Sequence, residues 1–483
     1  MKLSEYANFD GVGLAKLVET GEVSPKELAT CASLAIAKIN PDINAVVELY
    51  PDRIESLDES ELGNGPFKGV PFLIKDIGNL EAGRKCEQGS RLLEGFVAQE
   101  DSYLIKLLRA SGVNNIGRSN VPEFCIASTT ENALYGDTST PWRKGNSAGG
   151  SSGGAAAAVA SGMVPIAHGS DIGGSIRIPA AHCGVIGLKP SRGRITYGPQ
   201  ADEKGFGMAA NMVQTRTVRD TAAMLDCLSI PQPGDPFVIR QPSRPYIEEV
   251  GAPFKKLKIA YSTDPLMSGT SVHPEIADAI EKTATLLESM GHEVERAKPN
   301  YHPEDALIHC PNLWFLGFDK YIDALASATN RPINLDTLEP CTLDLYQKAK
   351  DIDPFTIFDS FDWVNRVRRE FGKHFAQYDI WLTPTTVMPS EPLGRYNQSL
   401  TGLSTEEYFY LSETPVQYCA AYNITGLPAI SLPLHQTSDG LPIGVQLGAR
   451  HGEEELLINV SSALEQALPW ANNTPEFHAS KYC

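Results

Sequence analysis

Residues 145–162 read GNSAGGSSGGAAAAVASG, a composition that no ordinary core segment needs. Four glycines flank two adjacent serines, Ser151 and Ser152, and an alanine-rich segment that favours a helix follows directly. A glycine-rich loop that leads into the N-terminus of a helix commonly binds an anion or a phosphate. Such a loop can also hold a serine where a substrate carbonyl reaches it. The motifs in and around the loop indicate whether it binds an anion or holds a catalytic serine.

The loop itself does not favour nucleotide binding. A P-loop requires the pattern GxxxxGK[ST], whose lysine contacts the terminal phosphates. Residues 145–154 contain no such lysine, and no GxGxxG pattern occurs in the stretch. The loop therefore indicates a role other than holding a phosphate.

Two common serine-enzyme motifs do not account for the loop either. The pattern GxSxG occurs at 149–153 and at 150–154, but a nucleophile elbow needs a strand that leads directly into the turn. The preceding residues, TSTPWRKGNSA, are polar, contain a proline and show no strand pattern. The SxxK motif of penicillin-recognising enzymes is absent, since no lysine has a serine three residues before it. Neither motif therefore explains the serines of the loop.

A second glycine-rich stretch, HGSDIGGSIRIPAAHCGVIGLKPSRGR, covers residues 168–194. Its small residues leave several backbone N–H groups free to converge on one point, as an oxyanion hole requires. Ser175 follows these residues and is well placed to attack a carbonyl carbon. Taken alone, the pattern is equally typical of a tight Gly-Gly turn without chemistry.

A serine nucleophile needs a base, and Lys75 is the candidate. His168 and His182 lie near the second stretch, but neither pairs with an aspartate in the sequence, and we interpret both as packed or hydrogen-bonding residues. Lys75 ends the stretch GVPFLIKD (69–76), in which five apolar residues predict a buried strand. Desolvation lowers the pKa of a lysine and makes a neutral amine available. A lysine paired with the adjacent Asp76 is the alternative.

Together these stretches resemble the amidase signature family. GVPFLIKD, GGSSGG and GSDIGGSIRIPAAHCGVIGLKPSRGR occur in the order typical of that family, and NITGLPAISLPLHQTSDGLPIGVQLGARHGEEELL (423–457) resembles its C-terminal strands. The resemblance extends from about residue 5 to residue 470. Within the family, VPIAHGSDIGGSIRIPA and LPIGVQLGARHGEEELL are most similar to bacterial 6-aminohexanoate cyclic-dimer hydrolases, which open a nylon-oligomer lactam.

The resemblance implies a Ser–cis-Ser–Lys triad. Ser175 would attack the amide carbonyl and form an acyl-enzyme. Ser151, after a cis peptide bond from Gly150, would move the proton between Ser175 and Lys75, the general base. Water would then hydrolyse the acyl-enzyme, and neither a metal ion nor an organic cofactor is implied.

The resemblance also implies supporting and substrate-binding residues. The backbone N–H groups of the oxyanion hole would come from Ile172, Gly173, Gly174 and Ser175. Asp171 and Arg177 would hold this loop through hydrogen bonds. The substrate contacts would come from Cys125 and Ile126 in NVPEFCIAS (120–128), and from Trp314, for which a place in the protein core is the alternative.

Composition limits the class of protein. The chain has 483 residues, 42% of them hydrophobic, and a net charge of −18. An acidic surface repels nucleic acid and anionic lipid, so neither a nucleic acid nor a membrane is expected as a partner. Nine cysteines are scattered without a CxxC pattern, which argues against structural zinc and a disulfide framework. With no signal-peptide pattern in MKLSEYANFDGVGLAKLVE, we expect a cytoplasmic location.

Apolar runs alternate with amphipathic segments along the chain. The predicted strands are 69–76, 184–190, 257–261, 380–385, 428–433 and 443–448, and the predicted helices include 102–111, 219–229, 274–290 and 454–467. This alternation predicts an α/β fold with a large mixed, mostly parallel sheet covered by helices on both faces. We expect a single amidase domain over 1–483, with a helical insertion at about 300–375.

The predicted function is that of a serine amidase. Its substrate would be a small carboxylic amide, such as a cyclic or linear ω-amino-acid oligomer. Aryl-acylamide and carbamate (urethane) hydrolysis are the alternatives that use the same triad. A non-catalytic binding protein or an amidotransferase subunit on the same fold is the alternative from another class. We expect a homo-oligomer, with a dimer as the specific prediction.

Overall fold

A single large sheet forms the centre of the molecule. The computed structural model describes residues 1–201 and 205–482. The strands are β1 (Val46–Leu49), β2 (Pro71–Lys75), β3 (Asn114–Ser119), β4 (Ile166–Asp171), β5 (Ile186–Lys189), β6 (Ala210–Thr215), β7 (Lys258–Tyr261), β8 (Glu293–Arg296), β9 (Ile380–Pro384), β10 (Ala429–Gln436) and β11 (Pro442–Gly448). They form an 11-stranded sheet in the order β1-β3-β2-β4-β6-β5-β10-β11-β9-β7-β8.

Helices surround this sheet. They are α1 (Leu3–Tyr6), α2 (Gly11–Glu19), α3 (Pro25–Ile43), α4 (Pro51–Ile54), α5 (Tyr103–Ser111), α6 (Gly153–Ala160), α7 (Arg177–Cys183), α8 (Val218–Leu228), α9 (Pro274–Ser289), α10 (Pro303–Phe315), α11 (Phe318–Thr329), α12 (Pro340–Ala349), α13 (Pro354–Phe375), α14 (Thr405–Glu413), α15 (Ala420–Thr425) and α16 (Glu454–Ala467). The predicted α/β architecture with a mixed sheet is confirmed. No helix of the described residues is long and apolar enough to cross a membrane.

Antiparallel pairing is more frequent than the sequence predicts. Within the described part of the chain, β2–β3, β2–β4, β7–β8 and β7–β9 are parallel, whereas the other six pairings are antiparallel. A strand buried on both faces reads as a continuous apolar run whichever way its neighbour points. The expectation of a mostly parallel sheet is therefore corrected, because apolar runs carry no information about direction.

The predicted strands and helices lie where the apolar pattern places them, within a few residues at each end. The strands that were not predicted are β1 and β8, at the two edges of the sheet, and β3 (NNIGRS), β4 (IAHGSD) and β6 (ANMVQT) inside it. Buried polar side chains of the inner three have polar partners inside the protein: His168 on β4 bonds to Asn211 on β6, and Arg118 on β3 pairs with Asp76 after β2. Polar residues that satisfy each other inside the sheet remove the apolar signal on which the prediction depends.

The sheet places the candidate site at the ends of two parallel neighbours. β2 and β4 pair in parallel, with Phe72 opposite Ile166. Because parallel strands end at the same edge of a sheet, Lys75 at the end of β2 meets Ser170 near the end of β4. The loop before α6 completes this edge. A Cβ atom at Gly150 would collide with the backbone of Thr129, so only glycine allows this close approach.

The segment from about 300 to 375 is helical, as its composition indicates. It contains α10, α11, α12 and α13. Residues at the end of α10 and at the start of α11 line a cavity of about 290 Å³. The segment therefore contributes a wall to the candidate site.

Candidate active site

Lys75 lies inside the protein at the end of β2 and contacts two serines. Its side chain is 1% exposed. The Nζ atom is 2.8 Å from Ser151 Oγ, 3.0 Å from Ser170 Oγ and 3.2 Å from the Ser170 carbonyl oxygen. The adjacent Asp76 forms an ion pair of 2.8 Å with Arg118 on β3. Lys75 is thus aimed at the glycine-rich loop.

Ser151 and Ser175 open into the same cavity. The peptide bond between Gly150 and Ser151 is cis. Ser151 is buried, and Ser175 is 8% exposed; both line the cavity described below. Among the described residues, the Ser175 hydroxyl has no hydrogen-bond partner, so its oxygen is available to a ligand.

Ser152 ties the loop to the neighbouring strand. Its hydroxyl donates to the Ser170 carbonyl oxygen at 3.2 Å and accepts from the Ser170 N–H at 3.3 Å. Its backbone N–H donates to the Ser175 carbonyl oxygen at 3.1 Å. The sequence alone assigns no role to Ser152, and the structure corrects this: Ser152 positions Ser151 relative to Ser170 and Ser175.

The predicted oxyanion loop differs from expectation at Gly174. Its N–H donates to Asp171 Oδ1 at 2.8 Å and so is already satisfied, which removes Gly174 from the predicted donors. At a φ of 135°, Gly174 adopts a conformation that favours glycine, and a Cβ atom there would lie 2.6 Å from Cys419 Cβ. The N–H groups of Ile172, Gly173 and Ser175 have no partner among the described residues and remain available to an oxyanion.

A buried network centred on Asp171 holds this loop. The Asp171 carboxylate also accepts from the Ile176 N–H at 3.1 Å and from Arg177 Nε at 3.1 Å and Nη2 at 3.0 Å. Asn423 donates to it at 2.8 Å, and Gln446 accepts from Arg177 Nη1 at 2.8 Å. Burial opposes ionisation, but the Arg177 guanidinium outweighs it and lowers the pKa of Asp171 to about 2. The loop is therefore anchored by a charged, fully buried pair.

The two histidines near the site are held neutral. His168 is buried beside Asn211, with 3.2 Å between Nε2 and Asn211 Oδ1, and burial followed by the charge of Lys75 lowers its pKa to about 3. Burial lowers the pKa of His182 to about 4. Neither ring forms a hydrogen bond with Ser151 or Ser175 within the described structure. This agrees with their interpretation as packed or hydrogen-bonding residues.

A cavity of about 290 Å³ lies over the two serines. The predicted contact residues Cys125, Ile126 and Trp314 all line it. Most of the rest of its wall is apolar or aromatic; it includes Ile77, Phe124, Ile172, Ile178, Tyr197, Phe315, Leu316, Phe318 and Tyr321. The Trp314 ring lies against the oxyanion loop, because a Cβ atom at Gly173 would be 3.3 Å from Trp314 Cη2. The cavity therefore fits a small, largely apolar molecule.

Several residues of the site were not identified from the sequence. Ser170, Asn423, Gln446 and Glu413 are the main examples. Asn423 and Gln446 could have been noticed as polar residues within the apolar runs NITGLPAI and IGVQLG. Glu413 lies in a segment without a strong pattern, SETPVQ, and lines the cavity. No local signal in the sequence singles it out.

The fold and the site together define a serine hydrolase built on a large α/β sheet, with a lysine as the only base in contact with its serines among the described residues. The chain belongs to the amidase family, whose model matches residues 28–458.

Individual relatives are similar over almost the whole chain. A 6-aminohexanoate-cyclic-dimer hydrolase of Paenarthrobacter ureafaciens is 34% identical, over 97% of this chain and 96% of that protein. An acylamidase of Rhodococcus erythropolis is 32% identical, over 96% of each. The solved structure of a 6-aminohexanoate cyclic dimer hydrolase complexed with substrate superposes with a TM-score of 0.92 at 33% identity, covering 98% of this chain and 99% of that one.

Proposed function

We propose that this chain hydrolyses carboxylic amides through an acyl-enzyme, with Ser175 as the nucleophile, Ser151 as the proton relay and Lys75 as the base. The observation that carries the proposal is the distance of 2.8 Å between Lys75 Nζ and Ser151 Oγ, at the edge of a cavity that also contains Ser175. A nucleophile, a relay and a base are the groups that acyl transfer needs.

The contacts of Lys75 allow the neutral amine that a general base requires, as well as the ammonium form. A neutral amine has two N–H donors and one lone pair. Ser170 offers two acceptors, its hydroxyl and its carbonyl oxygen, at 3.0 Å and 3.2 Å. Lys75 Nζ donates to Ser151 Oγ at 2.8 Å when it is protonated; in the neutral amine the same contact would direct the lone pair at Ser151, whose O–H would donate to it. Lys75 can therefore take a proton from Ser151. Transfer from Ser175 to Ser151 requires their hydroxyl groups, which face the same cavity, to come within hydrogen-bond distance.

The reaction then has two steps, acylation of Ser175 and hydrolysis of the acyl-enzyme. The Ser175 oxygen bonds to the substrate carbonyl carbon while its proton passes through Ser151 to Lys75. The negative carbonyl oxygen is stabilised by free N–H groups of the loop at Ile172 and Gly173. The carbon–nitrogen bond breaks as the proton returns through Ser151 to the leaving amine. Water, deprotonated by the same route, releases the acid and restores Ser175.

The proposed substrates are cyclic or linear oligomers of ω-amino acids. The support is the similarity to 6-aminohexanoate-cyclic-dimer hydrolases over nearly the full length, together with a cavity whose apolar wall matches alkyl chains between amide groups. Aryl acylamides are the second candidate, because the cavity is lined by Phe124, Trp314, Phe315 and Phe318, and an acylamidase is among the relatives.

Covalent labelling tests the proposed nucleophile. A fluorophosphonate should label the wild-type chain at Ser175, as peptide mass mapping would show, and should not label Ser175→Ala. Ser161→Ala, at the far end of α6, serves as the matched serine control and should label normally. Labelling of Ser175→Ala to the wild-type extent would overturn the assignment.

A hydrolysis screen tests the substrate class. Cyclic amides, linear ω-amino-acid oligomers, aryl amides and carbamates share an sp² carbonyl that the triad can attack, so kcat/KM reports the fit to the cavity. We expect the aliphatic oligomers to have the highest kcat/KM. A higher value for aryl amides would favour the second candidate. The expected homodimer and the cytoplasmic location stay predictions, and sedimentation analysis would test the first.

A further inference from the structure

One carboxylate of the cavity has no part in the chemistry described above. Glu413 is the last residue of α14 and lines the main cavity. It also lines a small cavity of about 20 Å³ that it shares with Trp314. Among the described residues, the only other acidic side chain that lines the main cavity, Asp171, is paired with Arg177. Glu413 is thus the one acidic group of this wall whose charge the described residues do not balance.

No group of the described structure pairs with Glu413. Neither a hydrogen bond nor an ion pair reaches its carboxylate within residues 1–201 and 205–482. The titratable groups influenced by its charge are neutral: they are Tyr301, Cys310, Tyr408 and Cys419. Burial raises the pKa of Glu413 to about 7. The side chain is half-buried at the cavity wall, so a ligand in the cavity can supply the partner that the described residues do not.

The position of Glu413 is unfavourable for the fold itself. The C-terminal end of a helix favours cations, because the backbone carbonyl groups there carry partial negative charge. Glu407, at the start of the same helix, shows the favourable case, since its carboxylate accepts from the Ser404 N–H at 2.8 Å. Partial burial without a protein partner adds a second cost at Glu413. Neither cost is offset within the described structure.

We propose that Glu413 determines specificity by accepting a hydrogen bond from an N–H donor that the substrate carries away from the scissile amide. An ammonium group and a second amide both supply such a donor, and both occur at the far end of an ω-amino-acid unit. Since Glu413 and Ser175 line one cavity, a single substrate can contact both residues. The inference rests on the proposed amide hydrolysis and adds the residue that recognises the rest of the substrate.

Three substrates with the same scissile amide test the proposal. They are N-butylhexanamide, which has no distal donor, N-butyl-6-aminohexanamide, which has an ammonium group, and N-butyl-6-acetamidohexanamide, which has a second amide. For each chain the measurement is the ratio of kcat/KM for a donor-bearing compound to kcat/KM for N-butylhexanamide. This ratio cancels effects on the triad that all three substrates share.

Two substitutions distinguish the sources of the donor. Glu413→Leu removes the acceptor, whereas Glu413→Gln keeps an acceptor oxygen and removes the charge. We expect Glu413→Leu to lower the ratio for at least one donor-bearing compound about tenfold or more, the loss typical of a hydrogen bond to a charged group. If Glu413→Gln lowers the ratio as much as Glu413→Leu does, the donor is the ammonium group. If Glu413→Gln restores the ratio to the wild-type value, the donor is the neutral amide.

The matched control is Glu406 on the same helix, whose carboxylate pairs with Lys348 and does not line the cavity. Glu406→Leu and Glu406→Gln should leave both ratios at the wild-type values. Unchanged ratios in Glu413→Leu for both compounds would overturn the proposal. So would an equal loss on all three substrates together with a lower Tm, because that pattern assigns Glu413 a structural role. Without such a role, we expect the Tm of Glu413→Gln to equal or exceed that of the wild type.

A binding measurement separates this proposal from the proposed hydrolysis. In the Ser175→Ala background, calorimetry with the same three compounds reports recognition without turnover. Weaker binding of a donor-bearing compound in Ser175→Ala/Glu413→Leu, by about tenfold, supports the role of Glu413 even if no compound is hydrolysed. If the wild type hydrolyses N-butylhexanamide but substitution of Glu413 changes neither ratio and no affinity, the proposed hydrolysis stands and the proposed role of Glu413 is wrong.

Discussion

The two sides of the cavity are built in contrasting ways. The catalytic side comes from strand ends and a loop of the central sheet, and its polar groups are bonded to one another: Lys75 to Ser151, and Asp171 to Arg177. The other side, which we call the helical wall, consists of Trp314, Phe315, Leu316, Gly317, Phe318 and Tyr321. Packing of apolar and aromatic side chains dominates there. The difference indicates that the catalytic side depends on well-aligned hydrogen bonds, whereas the helical wall can act on a substrate mainly through its shape.

Lys75→Met should give the largest effect on the catalytic side. We expect kcat/KM to fall on every substrate by about a hundred-fold to ten-thousand-fold, because the variant loses the general base. Steady-state kinetics on two unrelated amides would measure it. Lys68→Met, which alters a lysine bonded to Asn64 outside the cavity, is the control. A loss of kcat/KM on only one of the two amides would contradict the assignment of Lys75 to the catalytic side.

Arg177→Met should destabilise the protein by about 3–5 kcal/mol, because it leaves the Asp171 carboxylate buried without its partner. Denaturant unfolding would measure the change. Arg143→Met removes an exposed ion pair with Asp439 and should cost less than about 1 kcal/mol. Equal effects of the two substitutions would show that the network on the catalytic side is not held by its buried pair.

Acid should weaken the same network in a defined range. The pKa of Asp171 lies near 2 in the folded chain, below its ordinary value of 3.8. Its ionisation therefore contributes stability that is complete above about pH 4 and is lost as the pH falls towards 2, about 2 kcal/mol in all. The free energy of unfolding of Asp171→Asn should decrease less over this range than that of the wild type. Parallel curves would contradict the assignment.

Trp314→Ala should produce the smallest effect and a different kind of effect. We expect the ratio of kcat/KM between a bulky and a small amide to change about tenfold, the size of one good packing contact. The rate on the small amide should change less than that. Phe358→Ala alters an aromatic residue of α13 that is exposed and serves as the control. An equal loss of kcat/KM on both amides would show that Trp314 affects catalysis and not the choice of substrate.

The sequence predicted the catalytic side much better than the helical wall. Lys75, Ser151 and Ser175 occur in compact stretches whose glycines and apolar residues are unusual enough to be noticed one by one. Asp171 and Arg177 lie within the same stretch as Ser175. The sequence did not predict which backbone N–H groups are free to bind an oxyanion. The hydrogen bond from Gly174 to Asp171 depends on a backbone conformation that a Gly-Gly pair does not specify.

Contacts between distant segments account for the remaining differences. Asn423 lies 252 positions from Asp171 in the chain, and Glu413 reaches the cavity from a helix with no distinctive pattern. The direction of β10 and β11 relative to their neighbours was likewise hidden, because buried strands look alike in either orientation. Side chains whose role depends on long-range packing leave little trace in local sequence.

All six residues of the helical wall fall within 314–321. A contiguous cassette of eight positions therefore supplies six of the residues that line the cavity, while Lys75, Ser151 and Ser175 are encoded elsewhere in the chain. Replacing that cassette alone, by recombination between related enzymes or by a small combinatorial library, would sample new substrate preferences without altering the reacting groups. Changes confined to this short segment of the gene could therefore alter which amides the protein accepts.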